Sequence, residues 1–109
     1  MGVATDTTPH ADGATAVEAM VRTAALRFPD IAVTKFEVQP YRNGPAVRAI
    51  ATFAGASDRD TVVGLSEDLT DLIAAGVPGG WTYADRMECD HVAKGFRLAI
   101  GFDAGAAAR

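Results

Sequence analysis

Asp85 is the residue whose chemistry least fits its place in the sequence. In the stretch Trp81 to Cys89 (WTYADRMEC), strand alternation puts Trp81, Tyr83, Asp85, Met87 and Cys89 on one face, with Thr82, Arg86 and Glu88 on the other. The first face is otherwise apolar or aromatic, so alternation alone places Asp85 on the core side. A desolvated carboxylate has a raised pKa and suits general acid–base work, with Tyr83 as its neighbour. The competing reading is an inward charge on an edge strand, or a side chain let out to solvent by a bulge.

Cys89 and His91 are two apart, so a continuing strand would project them to the same side. A cysteine beside a histidine can form a thiolate nucleophile. Asp90 cannot orient His91 in regular strand geometry, because adjacent residues point to opposite faces. A lone cysteine also serves as a small buried hydrophobe. As metal ligands the two lack a third partner, so no metal is expected. The candidate catalytic residues are therefore Asp85, Tyr83, Cys89 and His91. Arg48, Arg97 and Trp81, the only tryptophan, are the candidate ligand-binding residues.

Familiar cofactor signatures are missing. There is no glycine-rich phosphate loop followed by lysine, no Cys-x-x-Cys and no His-Glu-x-x-His. Asp58-Arg59-Asp60 starts like a calcium loop but lacks the later ligands and the glycine. The expectation is a protein without a cofactor.

Charge narrows the partners. A net charge of −4 argues against nucleic acid or an anionic membrane surface, both of which need clustered basic residues. No apolar run approaches the roughly 20 residues of a membrane helix. A single cysteine excludes an intrachain disulfide, and no basic, apolar leader is present, so a reducing cytoplasm is the expected location.

The elements that must position these residues can be read in order. Residues 1–13 lack periodicity and read as a tail. Thr15 with Glu18 makes a capping-box pattern, and Val17, Met20, Val21, Ala24 and Phe28 form an apolar stripe, with Leu26 on the outer side. Pro29 ends this first helix. Ile31 to Gln39 reads as a strand with Ala32, Thr34, Phe36 and Val38 on one face and Val33, Lys35, Glu37 and Gln39 on the other. Asn43-Gly44 is a hairpin turn signal. Ala46 to Gly55 returns with Val47, Ala49, Ala51 and Phe53 inward. Ser57 is the expected N-cap of a second helix, with core residues Val62, Leu65, Leu69, Leu72 and Ile73, an acidic opposite side, and Gly76 after its end. The second hairpin follows, its return strand aligning Phe96, Leu98, Ile100 and Phe102.

The order αββαββ predicts an α+β two-layer sandwich: a four-stranded antiparallel sheet with both helices on one face. Moving the first strand of a ferredoxin-like chain to its end produces this order, and it implies the spatial sequence strand 3, strand 4, strand 2, strand 1. A four-stranded meander is the alternative. One domain at 14–103 is expected, with 104–109 as a C-terminal tail.

The face away from the helices should carry Lys35, Glu37, Arg48, Arg86, Glu88, Arg97 and Asp103, interspersed with Ile31, Val33, Ile50 and Ala99. Arg48 and Arg97, on neighbouring central strands, would form an anion site if close together. Apolar residues among charges on an open sheet point to a homodimer interface. The sequence therefore supports two functions. One is a small binding or accessory protein acting through a protein or small-ligand contact, as a homodimer. The other is a small enzyme with a pocket between sheet and helices, using Asp85 as acid or base with Tyr83, Cys89 or His91.

Overall fold

A computed structural model describes residues 9–40, 46–78 and 80–104. The elements are α1 (Pro9–Ala25), β1 (Ile31–Pro40), β2 (Ala46–Gly55), α2 (Arg59–Ala74), β3 (Thr82–Val92) and β4 (Gly95–Asp103). The expected Asn43-Gly44 turn, and the parts of the expected tails at 1–8 and 105–109, lie outside the described residues.

Both helices form where apolar periodicity places them, but their starts differ. α1 begins at Pro9, well before Thr15, so the Thr15–Glu18 pair falls inside the helix. Proline suits a first helical position, where its missing N–H has no partner to lose. The helix also runs through Gly13, which is a poor helix former on its own. A tertiary contact overrides that weakness: the Trp81 ring lies so close to Gly13 that even a methyl group there would collide with it. The N-cap of α2 is Asp58, not Ser57. Its carboxylate accepts hydrogen bonds from the Thr61 backbone N–H at 3.1 Å and the Thr61 hydroxyl at 2.8 Å. Those bonds, the hydroxyl's first, hold its pKa below the usual carboxylate range.

The strands form one antiparallel sheet in the order β1-β2-β4-β3, the order expected, with β2 and β4 at the centre. The arrangement is consistent with a circularly permuted ferredoxin-like chain. Both helices cover one face. Val17, Val21 and Ala24 of α1 and Leu65, Leu69 and Ile73 of α2 share a core with Val47, Ala49, Ala51, Phe53, Phe96, Leu98, Ile100 and Phe102. Phe53 and Phe96 stack at 4.9 Å across the central pair. Each fully buried side chain of this size contributes roughly 1.5–3 kcal/mol. Leu72 is left at the margin and Leu26 is 84% exposed.

Each edge strand is irregular. In β1, Val33 faces Phe53 and Lys35 faces Thr52, so Thr34 is an extra residue. One extra residue inverts the alternation on its far side. Ile31 and Val33 therefore join Phe36 and Val38 on the core face, where the sequence pattern had them on the outer face. In β3, Tyr83 faces Phe102 and Arg86 faces Gly101, so Ala84 and Asp85 are both extra. Two extra residues leave the alternation intact, and Tyr83, Met87, Cys89 and His91 all stay on the helix side, opposite Phe102, Ile100, Leu98 and Phe96.

The β3–β4 hairpin closes over Ala93 and Lys94, and Lys94 takes a positive φ of 67°. At the next position a side chain on Gly95 would strike the Phe53 carbonyl, which explains glycine there.

Candidate functional site

The candidate residues fall into three separate places. The first is a hollow of about 440 Å³ between the C-terminal end of α2 and the start of β3, lined by Ile73, Ala74, Gly76, Val77, Trp81, Thr82, Tyr83 and Asp85. It unites Trp81, Tyr83 and Asp85. The Trp81 and Tyr83 rings pack on Phe102 at 5.2 and 6.1 Å, which fixes their positions. Asp85 is not buried, contrary to its place in the alternation. It is exposed, with a positive φ of 52°, because the two-residue bulge pushes it out of the strand. The desolvation on which an acid–base role would depend is absent.

The second place is a cleft of about 490 Å³ between α2 and β3, lined by Ser66, Glu67, Thr70, Asp71, Met87, Glu88, Cys89 and Leu98. On the β3 side its wall is Met87, Glu88 and the small Cys89. Thr70 donates its hydroxyl to the Ser66 carbonyl at 2.7 Å and lies 3.9 Å from the Met87 sulfur. Cys89 is exposed along this cleft. Partial burial of the thiol, and then the Asp90 carboxylate, push its pKa above the ordinary value. That direction opposes thiolate formation. His91 lies farther along β3 and is exposed. Among the described residues, no side-chain hydrogen bond joins it to Cys89. Asp85, with Tyr83, and Cys89 thus line different hollows and do not form one constellation.

The third place is the sheet face opposite the helices. Its rows follow from the strand register. Gln39, Arg48, Gly101 and Arg86 make one row; Glu37, Ile50, Ala99 and Glu88 the next; Lys35, Thr52, Arg97 and Asp90 a third. Arg48 and Arg97 do lie on neighbouring strands, but Arg97 is opposite Thr52, four residues along from Arg48. That is about 13 Å at strand rise. Each has its own partner: Arg48 donates to the Gln39 side-chain oxygen at 3.1 Å, and Arg97 approaches the Asp90 carboxylate at 3.5 Å. They do not make a paired anion site. Arg86 is the residue in Arg48's row, its stem lying over Gly101.

The centre of this face is apolar. Ile50 is only 6% exposed although it points away from the main core, and Ala99 is beside it. Lys35, Arg48, Arg86 and Arg97 are balanced by Glu37, Glu88, Asp90 and Asp103, so the face is strongly charged with no net sign. The apolar centre was legible in the sequence through Ile50 and Ala99. The Arg48–Gly101–Arg86 row was not, because it depends on the β3 bulge.

Among the described residues, no three His, Cys, Asp or Glu side chains group as metal ligands, and no helix is long and apolar enough to cross a membrane. No protein-family model matches the chain, and no curated protein or solved structure matches it either.

Proposed function

We propose that this chain is a small cofactor-free binding or accessory protein that acts by contact, as a homodimer joined through the sheet face opposite its helices. The supporting observation is the layout of that face. An apolar centre at Ile50, Ala99 and Gly101 is framed by equal numbers of cations and anions. A two-fold interface brings a patch against itself, so a face of balanced sign suits a second copy better than a strongly charged partner does.

The edges support the same reading. A bulge interrupts each edge strand, which hinders edge-to-edge pairing and leaves the face as the way two sheets can meet. Four strands spaced about 4.8 Å apart present on the order of 600 Å². That is at the low end for a specific interface, so a micromolar dimer is expected. The lone exposed cysteine goes with a reducing, cytoplasmic setting.

Light scattering after size exclusion tests this. At about 100 μM the chain should run as a dimer, and Ala99→Arg should make it a monomer with an unchanged circular dichroism spectrum. A wild-type monomer at that concentration, or an Ala99→Arg dimer, would overturn the proposal. The enzymatic alternative has no comparable support, since Asp85 is exposed and set apart from Cys89.

A further inference from the structure

We propose that the hollow between the end of α2 and the start of β3 binds a small organic ammonium ion. This site is independent of the sheet-face dimer, because it opens on the helix side at one end of the molecule.

Two separate sources of negative potential meet there. One is the Asp85 carboxylate. The other is the C-terminal end of α2, where backbone carbonyls carry the negative pole of the helix and the last turn contains no basic residue. Ala74 and Gly76, at that helix end, line the same hollow as Asp85. None of the described residues lining it is cationic.

The remaining walls suit a carbon-bearing cation. Tyr83 supplies a half-buried aromatic ring, of the kind whose faces attract ammonium groups, while the buried Trp81 only backs the wall. Half-buried Val77 supplies apolar surface for the hydrocarbon body. A metal ion would need several close donors, whereas this wall offers one side-chain carboxylate. The volume of about 440 Å³ lies within the usual range for small-molecule sites.

The site is also held in shape. Trp81 is wedged between Gly13 of α1 and Phe102 of β4. The two-residue bulge fixes Asp85 at the rim with a positive φ, a conformation a strand does not adopt on its own account. Bulges of this kind re-aim a side chain, and here the re-aimed group is the carboxylate.

The test is a backbone-amide NMR titration of the full chain with choline. Its neutral carbon isostere, 3,3-dimethylbutanol, and sodium chloride serve as controls. Choline should give saturable shifts confined to residues 73–85, with an affinity in the millimolar range or better, and should bind about tenfold more tightly than the isostere. Asp85→Asn keeps the shape and tolerates positive φ; it should weaken choline binding by about tenfold while leaving the rest of the spectrum in place. Tyr83→Leu should weaken it by roughly fivefold. Absence of saturable shifts, equal binding of the isostere, the same shifts with sodium chloride, or full affinity in Asp85→Asn would each overturn the proposal.

Discussion

The two edge strands break the same rule by different amounts. β1 carries one extra residue, Thr34, and β3 carries two, Ala84 and Asp85. Side chains on a strand alternate with a period of two, so an odd insertion inverts the faces and an even one does not. Ile31 and Val33 are accordingly core residues despite an alternation that assigns them outward. Met87 and Cys89 keep their assigned side even though the strand between Tyr83 and Arg86 is disrupted. The cost of the even insertion falls on its own two residues, which leave the strand. A bulge of one residue therefore recruits more chain to the core, and a bulge of two presents a loop-like pair of side chains at a strand edge.

Deletions test that difference most directly and should have the largest effect. Removing Thr34 together with Lys35 takes out the bulge residue and one paired residue of β1, which turns Ile31 and Val33 away from the core or forces Ala32 into their place. The loss of two apolar contacts should destabilise the chain by about 3–5 kcal/mol in chemical denaturation. Removing Ala84 and Asp85 together regularises β3 without changing any side chain's face, and should cost no more than about 1–2 kcal/mol. Equal losses for the two deletions would show that parity is not what the bulges control.

The anchor of the second hairpin gives the next effect. Trp81 is 4% exposed and sits against Gly13. Gly13→Ala improves local helix propensity by about 1 kcal/mol. The added methyl has no room, however, and overpacking of this kind costs about 1–3 kcal/mol. Net destabilisation, with a red shift of the single tryptophan's fluorescence, is expected. A stabilised variant with unchanged emission would mean that the ring moves aside freely.

The strand order was legible because β2 and β4 alternate cleanly. Val47 to Phe53 and Phe96 to Phe102 mark themselves as the buried pair, and the helices follow from Val17, Val21, Leu65, Leu69 and Ile73. The β1 bulge was not legible, since Thr34 carries no glycine or proline to mark it, while the β3 bulge could be read only as one alternative for the out-of-pattern Asp85. The start of α1 was hidden for a different reason. Local capping signals favour Thr15, and only the distant Trp81 makes helix at Gly13 worthwhile. Asp85 stood out correctly as a residue against the pattern. The physical cause is expulsion from the strand, which sequence alternation cannot separate from burial.

Positive φ distinguishes the second hairpin as well. Asp85 and Lys94 both adopt it, at 52° and 67°. For a side chain without local hydrogen bonding this region costs about 1–2 kcal/mol, and glycine avoids most of that cost while adding some entropy loss. Lys94→Gly should therefore stabilise the chain by about 0.5–1 kcal/mol. Asp85→Gly should gain less, because aspartate tolerates the region better than lysine does. The measurement is the denaturation midpoint at constant slope. A destabilised Lys94→Gly would indicate that the lysine side chain contributes more than its backbone strain takes away.

The smallest effect concerns Cys89, on the side of β3 that the even insertion leaves in register. Partial burial and the Asp90 carboxylate both favour the neutral thiol and raise its pKa. The thiolate is the species that alkylates, so at pH 7 to 8 Cys89 should react with iodoacetamide more slowly than an unstructured cysteine peptide, despite its exposure. The rate should climb as pH rises through the elevated pKa, with the midpoint of its profile displaced to higher pH than the peptide's. Asp90→Asn removes the secondary cause and should recover part of the difference, leaving the part due to burial. A midpoint below that of the peptide would place a positive charge near the sulfur and revive the pairing with His91, which the register puts on the same side of the strand.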